Sequence, residues 1–358
     1  KILKLECCNF FILSKISECY QLGYLLYLEE IYFLNNGTYG YIDSDKDDII
    51  ELKNIKSLKK IVCEHGTSKI KGDLSSLVEL NNLNHLEMLA IPISGNFNNI
   101  LYHNHFFLYK MHTMKLRHLS KLSGDIYIIL SHCNRKVIKH IDFGWSSISG
   151  NIDALVSSSL SSASLLPSPP SPPPLPSSSS HSSPPPPPSS SPPPSPPPLS
   201  PSSSVSMSSS PSLSTSININ GILSSSGQPF INLKYLNLKC CKISGNLSTI
   251  SYYCKKLEFL DLACCEMIGD ISSLTCLIDM KTLILNYISK LTGNIISFLP
   301  MTKLIHIEFA WTKLSGELKE LSKLTHLTHL NANKTEFVQV DDDTEKTFSY
   351  ISSSNLQV

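Results

Sequence analysis

The chain has 358 residues and a formal net charge of +1, with 16% charged residues. No Lys/Arg run exceeds two and the two signs are interspersed, which excludes the one-signed surface that holds a nucleic-acid backbone. No stretch of 18 apolar residues occurs, so membrane association is expected only through segments outside this sequence, whose first residue, Lys1, already falls inside a repeating pattern.

Leu3, Leu5 and the pair Cys7 and Cys8 open the chain with the alternation of a strand buried on one face. The same alternation returns at fixed distances before a glycine. Leu28, Ile31 and Phe33 stand 12, 9 and 7 residues before Gly40. Ile138, Ile141 and Phe143 hold these offsets before Gly150, Leu233, Leu236 and Leu238 before Gly245, and Leu304, Ile307 and Phe309 before Gly316. The glycine is followed by Asn, Asp or Glu and an apolar residue, from Gly72-Asp73-Leu74, Gly95-Asn96-Phe97, Gly124-Asp125-Ile126 and Gly150-Asn151-Ile152 to Gly245-Asn246-Leu247, Gly269-Asp270-Ile271, Gly293-Asn294-Ile295 and Gly316-Glu317-Leu318. The last four are 24, 24 and 23 residues apart. Whole units also match: 138–150 reads IKHIDFGWSSISG and 304–316 reads LIHIEFAWTKLSG.

A period near 24 with one short strand per unit means a repeat that cannot bury its apolar face alone and must stack on its neighbours. The expected fold is an α/β-type solenoid of about ten or eleven units. It has a parallel sheet on the concave side and loops, turns or short helices on the convex side, with glycine supplying the turn where the chain leaves the strand.

These residues resemble the leucine-rich-repeat family, whose unit is L-x-x-L-x-L-x-x-N/C-x-L, and the S-G-x-L/I continuation is similar to the plant-type subclass also seen in protist surface proteins. The sequence departs from that subclass in lacking the proline after G-x-I. At the position the family gives to Asn, this chain has Asn36, Ser146, Cys241, Cys265 and Thr312, which form the expected inward ladder. A small polar side chain there can bond backbone groups that neighbouring turns leave open, and an unmet group would cost about 1–3 kcal/mol. The paired cysteines are thus read as repeat positions and not as metal ligands, with Cys240 and Cys264 facing outward beside the inward Cys241 and Cys265. Eleven cysteines, an odd count, argue against a fully paired disulfide framework.

Between Gly150 and Gly245 the gap is 95 residues, and removing one 24-residue period leaves 71, the length of 157–227. From Ala154 to Leu233 there is no Asp, Glu, Lys or Arg, and twenty of the 23 prolines fall between Pro167 and Pro211. Such a composition cannot offset its ordering entropy, so 157–227 is expected to be a disordered Ser/Pro insert looped out of one solenoid. It divides the chain into repeats 1–156, the insert, repeats 228–340 and a polar tail 341–358. The insert reads as a spacer, as an O-glycosylated segment, or as a ligand for a proline-binding domain through the run from Pro184 to Pro188.

The chemistry searched for gives little. Phosphate-binding glycine loops, a nucleophile elbow and H-E-x-x-H are all missing, so the chain is not expected to be an enzyme or to carry a cofactor. His103, His105, His112 and His118 form a loose cluster that reads as a solvated loop. Three sequons occur, at Asn36, Asn246 and Asn333, with Asn36 in an inward position. Residues between the strand leucines are predicted to face a protein partner: His140, Asp142, Trp145, Tyr235, Lys239, Phe259, Asp261, His306, Glu308 and Trp311. Exposed aromatics among mixed charges suit a protein interface. The expected function is a protein-recognition scaffold, part of a surface or secreted receptor-like or adhesive protein. An intracellular adaptor or ligase substrate-recognition subunit, and a regulatory region of a larger enzyme, are the alternatives.

Overall fold

A computed structural model describes residues 1–6, 12–34, 48–64, 70–156, 228–335, 337–339 and 356–357. Asn36, Cys7, Cys8, the Ser/Pro segment 157–227 with Pro184 to Pro188, and most of the tail lie outside the described residues.

The strand leucines do what their alternation demands. In Glu30–Leu34, Ile31 and Phe33 are buried while Glu30 and Tyr32 are half-exposed; in His85–Leu89, Leu86 and Met88 are buried between half-exposed neighbours. Twelve such strands form one parallel sheet in which spatial order follows chain order, from Ile2–Glu6 through His140–Asp142 and Tyr235–Asn237 to Leu356–Gln357. Each strand pairs only with those of the preceding and following turns, as stacking of one-strand units requires. The inward residues form one continuous hydrophobic core from Leu13 to Ala332.

A feature beyond the sequence expectation is a second sheet. Seven short strands, from Gly72–Asp73 through Ser147–Asn151 and Lys242–Asn246 to Leu291–Thr292, pair in parallel where the glycine motif lies. The returning segment is therefore not simply irregular. It runs through this sheet and then through one short helix or 3-10 turn, such as Phe97–His103, Ile126–His132, Leu247–Tyr253 or Ile271–Cys276.

The glycine motif explains both. The Asn or Asp after each glycine caps the helical turn that follows: Asn246 Oδ1 accepts from the Ser248 N–H at 2.9 Å, and Asp270 Oδ1 from the Ser272 N–H at 2.8 Å. In most units the glycine of the next turn then lies over that cap, whereas a Cβ on Gly95 or Gly124 would meet Leu74 or Phe97, the residue after the cap. A Cβ on Gly269 would stand 2.6 Å from Asn246 Oδ1, and one on Gly316 2.6 Å from Asn294 Oδ1. Both glycines have positive φ, +114° and +127°. Glycine is thus required twice over, for its backbone angle and for the space the cap needs. Glu317 stands where the other units have Asn or Asp and makes no side-chain cap.

The two blocks of repeats join across the Ser/Pro segment. Tyr235 pairs with His140, Leu236 with Ile141 and Asn237 with Asp142, and in the second sheet Ser149 pairs with Lys242. Both edges of the segment are fastened to flanking turns. Asp153 accepts from the Asn246 N–H at 3.0 Å, and the Tyr253 hydroxyl donates to the Leu155 carbonyl at 2.9 Å. On the returning side the buried Arg135 guanidinium lies between the rings of Phe230 and Tyr253, 4.8 and 5.2 Å from their centroids, and donates to the Gln228 carbonyl.

Candidate recognition face

The outward side chains of the twelve-stranded sheet fall into rows, because register is in phase from turn to turn. The first row runs Lys60, His85, Thr113, His140, Tyr235, Phe259, Thr282, His306, His329. Neighbouring strands stand about 4.8 Å apart, a spacing at which flat rings can stack face to face. They do so here: His140 on Tyr235 at 3.8 Å and 11°, Tyr235 on Phe259 at 4.0 Å and 5°, His306 on His329 at 4.9 Å and 6°.

A further row lies just past the strand ends. Ala90, His118, Trp145, Cys240, Cys264, Tyr287, Trp311 and Lys334 all take a left-handed backbone conformation, with φ between 53° and 62°. All but Lys334 donate their N–H to the turn that follows: Trp145 to the Lys239 carbonyl, Cys240 to Ala263, Cys264 to Asn286, Tyr287 to Ala310. That conformation lifts the side chain out of the core at a site where the chain turns. His118 stacks on Trp145 at 5.7 Å and Tyr287 on Trp311 at 6.0 Å. Trp145, Tyr287 and Trp311 remain 46%, 57% and 50% exposed, high values for the largest side chains. Non-glycine residues held at positive φ are uncommon, and eight at one repeat position make this row a property of the fold.

The charges between the rows are mostly satisfied within the protein. Glu87 meets Lys115 and His85, and their bonds hold its carboxyl down to about 2. His306 Nε2 bonds Glu308 at 2.5 Å and Asn286 donates to the same carboxylate, which lowers its pKa. Burial, with Lys115 nearby, keeps His140 neutral down to about 4, and burial beside Asp142 pushes the Tyr235 phenol up to about 12.

Two of the residues expected to face a partner do not face solvent. Asp142 and Asp261 are only 5% and 4% exposed. Their short carboxylates turn back to accept the N–H groups of Gly144 and Ala263 at 3.1 and 3.0 Å, and burial raises both pKa values. Asn237 between them is buried as well: its Oδ1 accepts from the Lys239 N–H and its side chain bonds the Asp142 carboxylate, which opposes the rise that burial gives. His140, Tyr235, Lys239, Phe259, His306 and Glu308 are half-exposed in the rows, and Trp145 and Trp311 are exposed. Tyr287, His118 and His329 join the same stacks but are not among the residues expected from sequence to face a partner, where His118 reads as part of a solvated loop. Tyr287 and His118 stand six residues before Gly293 and Gly124, while the tryptophans stand five before theirs. One extra residue in the intervening loop hides the equivalence.

The inward ladder is buried. Cys241 Sγ donates to the Phe143 carbonyl at 3.1 Å and lies 3.7 Å from Ser146 Oγ; Cys265 Sγ donates to the Leu238 carbonyl at 3.0 Å; Thr312 Oγ1 donates to the Phe309 carbonyl at 2.6 Å. Each meets a carbonyl at the end of its own strand or the preceding one. The four loop histidines disperse: His105 stacks on His132, His118 on Trp145, and no group of three metal-ligating side chains gathers among the described residues. No helix of the described residues is long and apolar enough to cross a membrane. Of the sequons, Asn246 spends its side chain on the cap beneath Gly269, whereas Asn333 is exposed.

Solved structures of similar fold match this chain over nearly all of its length. An internalin of Listeria monocytogenes matches over 92% of this chain and 66% of its own length, at 15% identity and TM-score 0.50. The PEPR1–AtPEP1 structure matches over 98% and 39%, at 15% identity and TM-score 0.56. The fold is a leucine-rich-repeat solenoid. The Arabidopsis receptor kinase HAESA, solved with the peptide hormone IDA and the co-receptor SERK1, matches this leucine-rich-repeat chain over 97% of its length and 48% of HAESA's, at 14% identity and TM-score 0.51. No family model and no curated protein matches the sequence. The chain spans between 39% and 66% of the lengths of these three structures.

Proposed function

We propose that this leucine-rich-repeat chain is a protein-recognition scaffold that binds its partner along the concave sheet, and that it belongs to a surface or secreted receptor-like or adhesive protein. The observation that carries this reading is the pair of aromatic rows: His140, Tyr235 and Phe259 stacked on the sheet, with Trp145, Tyr287 and Trp311 at its rim. Large rings held rigid by stacking lose little side-chain entropy on binding, and aromatic anchors commonly dominate protein interfaces. The carboxylates nearby are already bonded internally, which leaves an aromatic stripe bordered by paired charges, the make-up of an interface core and rim. The structures of similar fold include a receptor kinase solved with a peptide hormone, which supports a peptide or protein ligand.

The experiment is selection of binding peptides or proteins from a displayed library on the intact chain, followed by alanine substitution of Trp145, Tyr235, Phe259 and Trp311. Loss of binding at one or more of these, with circular dichroism unchanged, supports the reading. Binding governed only by the run from Pro184 to Pro188 would transfer the function to the insert. A second reading, an intracellular adaptor, draws on one observation: the nine cysteines of the described residues are all unpaired, as in a reducing compartment.

A further inference from the structure

Two of the eight residues in the left-handed row are thiols. Cys240 and Cys264 occupy the same position on successive turns, with φ of 56° and 62°, and the Cys240 N–H donates to Ala263, the residue before Cys264, at 2.8 Å. Cys264 is exposed and Cys240 half-exposed. They differ in this from Cys241 and Cys265, which point inward and spend their thiols on carbonyls. Trp145 precedes and Tyr287 follows them in the row, so aromatic side chains stand on both sides of the pair.

From this we infer that Cys240 and Cys264 form a two-thiolate site for a soft monovalent d10 cation, Cu(I) being the physiological example. The inference does not depend on the recognition reading. Residues in register on neighbouring parallel strands stand about 4.8 Å apart and project their side chains the same way. A linear thiolate–metal–thiolate unit, with bonds near the ~2.3 Å of zinc–thiolate pairs, spans about 4.6 Å between sulfurs, close to the strand spacing. No third ligating side chain joins them among the described residues, which disfavours zinc and its four ligands. Paired thiolates without harder ligands select Cu(I). Binding forms two S–Cu bonds, and each thiol releases its proton to solvent. The resulting single negative charge lies beside the Lys239 ammonium, which favours the thiolates, while Asp261 opposes them.

The test is anaerobic titration of the reduced full chain with Cu(I) against bathocuproine disulfonate, comparing the native chain with Cys240→Ser, Cys264→Ser and Cys276→Ser. Cys276 is exposed but stands apart from the row, so it controls for a single accessible thiol. The expected result is one equivalent of Cu(I) held by the native chain and by Cys276→Ser and missing from both pair variants, with copper absorption spectra showing a sulfur-only, two-neighbour shell. Equal uptake by all four chains, or nitrogen or a third sulfur in the copper shell, would overturn it. If Cys264→Ser perturbs the fold by circular dichroism, Cys264→Asn takes its place, since Asn tolerates the left-handed conformation and lacks the thiol.

Discussion

Gly269→Ala tests the central structural argument, that a glycine such as Gly269 is required by the cap of the turn before it. Its φ of +114° is strained for any L side chain, a cost of about 1–2 kcal/mol. The added Cβ would also stand 2.6 Å from Asn246 Oδ1 and displace the cap on Ser248, worth about 1 kcal/mol. The sum is a loss of about 2–3 kcal/mol, read as a lower urea midpoint with unchanged slope by circular dichroism. The cap alone, removed in Asn246→Ala, costs about 1 kcal/mol. Once it is gone the Cβ has nothing to displace, so the double variant loses about 1 kcal/mol less than the sum of the singles. Gly23→Ala is the control, because Gly23 has φ +86° but nothing within 4 Å of a Cβ, and it should show the backbone cost alone. A Gly269→Ala chain within about 0.5 kcal/mol of the native one, or an additive cycle, would refute the nesting of glycine on cap.

Cys241→Ala and Cys265→Ala should each cost roughly 1 kcal/mol or somewhat more in the same urea assay, because the Phe143 and Leu238 carbonyls lose their thiol donors in the core. Burial holds the folded-state pKa of His140 at about 4 against the ordinary imidazole value of 6.5, so the unfolded chain binds a proton the folded one refuses and stability is lost as pH falls from 6.5 toward 4. His140→Phe keeps a ring on Tyr235 and should flatten that part of the pH–stability profile; an unchanged slope there would place the titration elsewhere. Deleting 157–227 should leave melting cooperative and the midpoint nearly unchanged, since strand pairing already runs from His140–Asp142 to Tyr235–Asn237; two separate transitions in the intact chain would contradict this. Alanine at Trp145, Tyr235, Phe259 or Trp311 should weaken a selected partner by more than about 1 kcal/mol at one or more sites, measured by calorimetry.

Periodicity alone gave away the parts of this protein that depend on local covalent spacing. Leu233, Leu236 and Leu238 recur at fixed offsets because each turn must present the same inward face, and the 71-residue excess before Gly245 falls out of the same count. The exposed positions of Trp145 and Trp311 followed from alignment of their units. What lies between turns did not. The second sheet consists of strands of two to five residues, too short for alternation to signal, and exists only because successive copies of the glycine motif lie side by side. Asp142 and Asp261 look like solvent-facing charges in a one-dimensional pattern, yet are buried because the backbone N–H groups two residues on draw them back beside the stacked rings. Tyr287 joins Trp311, and Cys240 stands beside Cys264, through a left-handed angle repeated at one position and a backbone ladder that aligns turns of unequal length. Sequence specifies what each turn carries. Which side chains meet is decided by stacking at strand spacing, a distance that no single repeat contains.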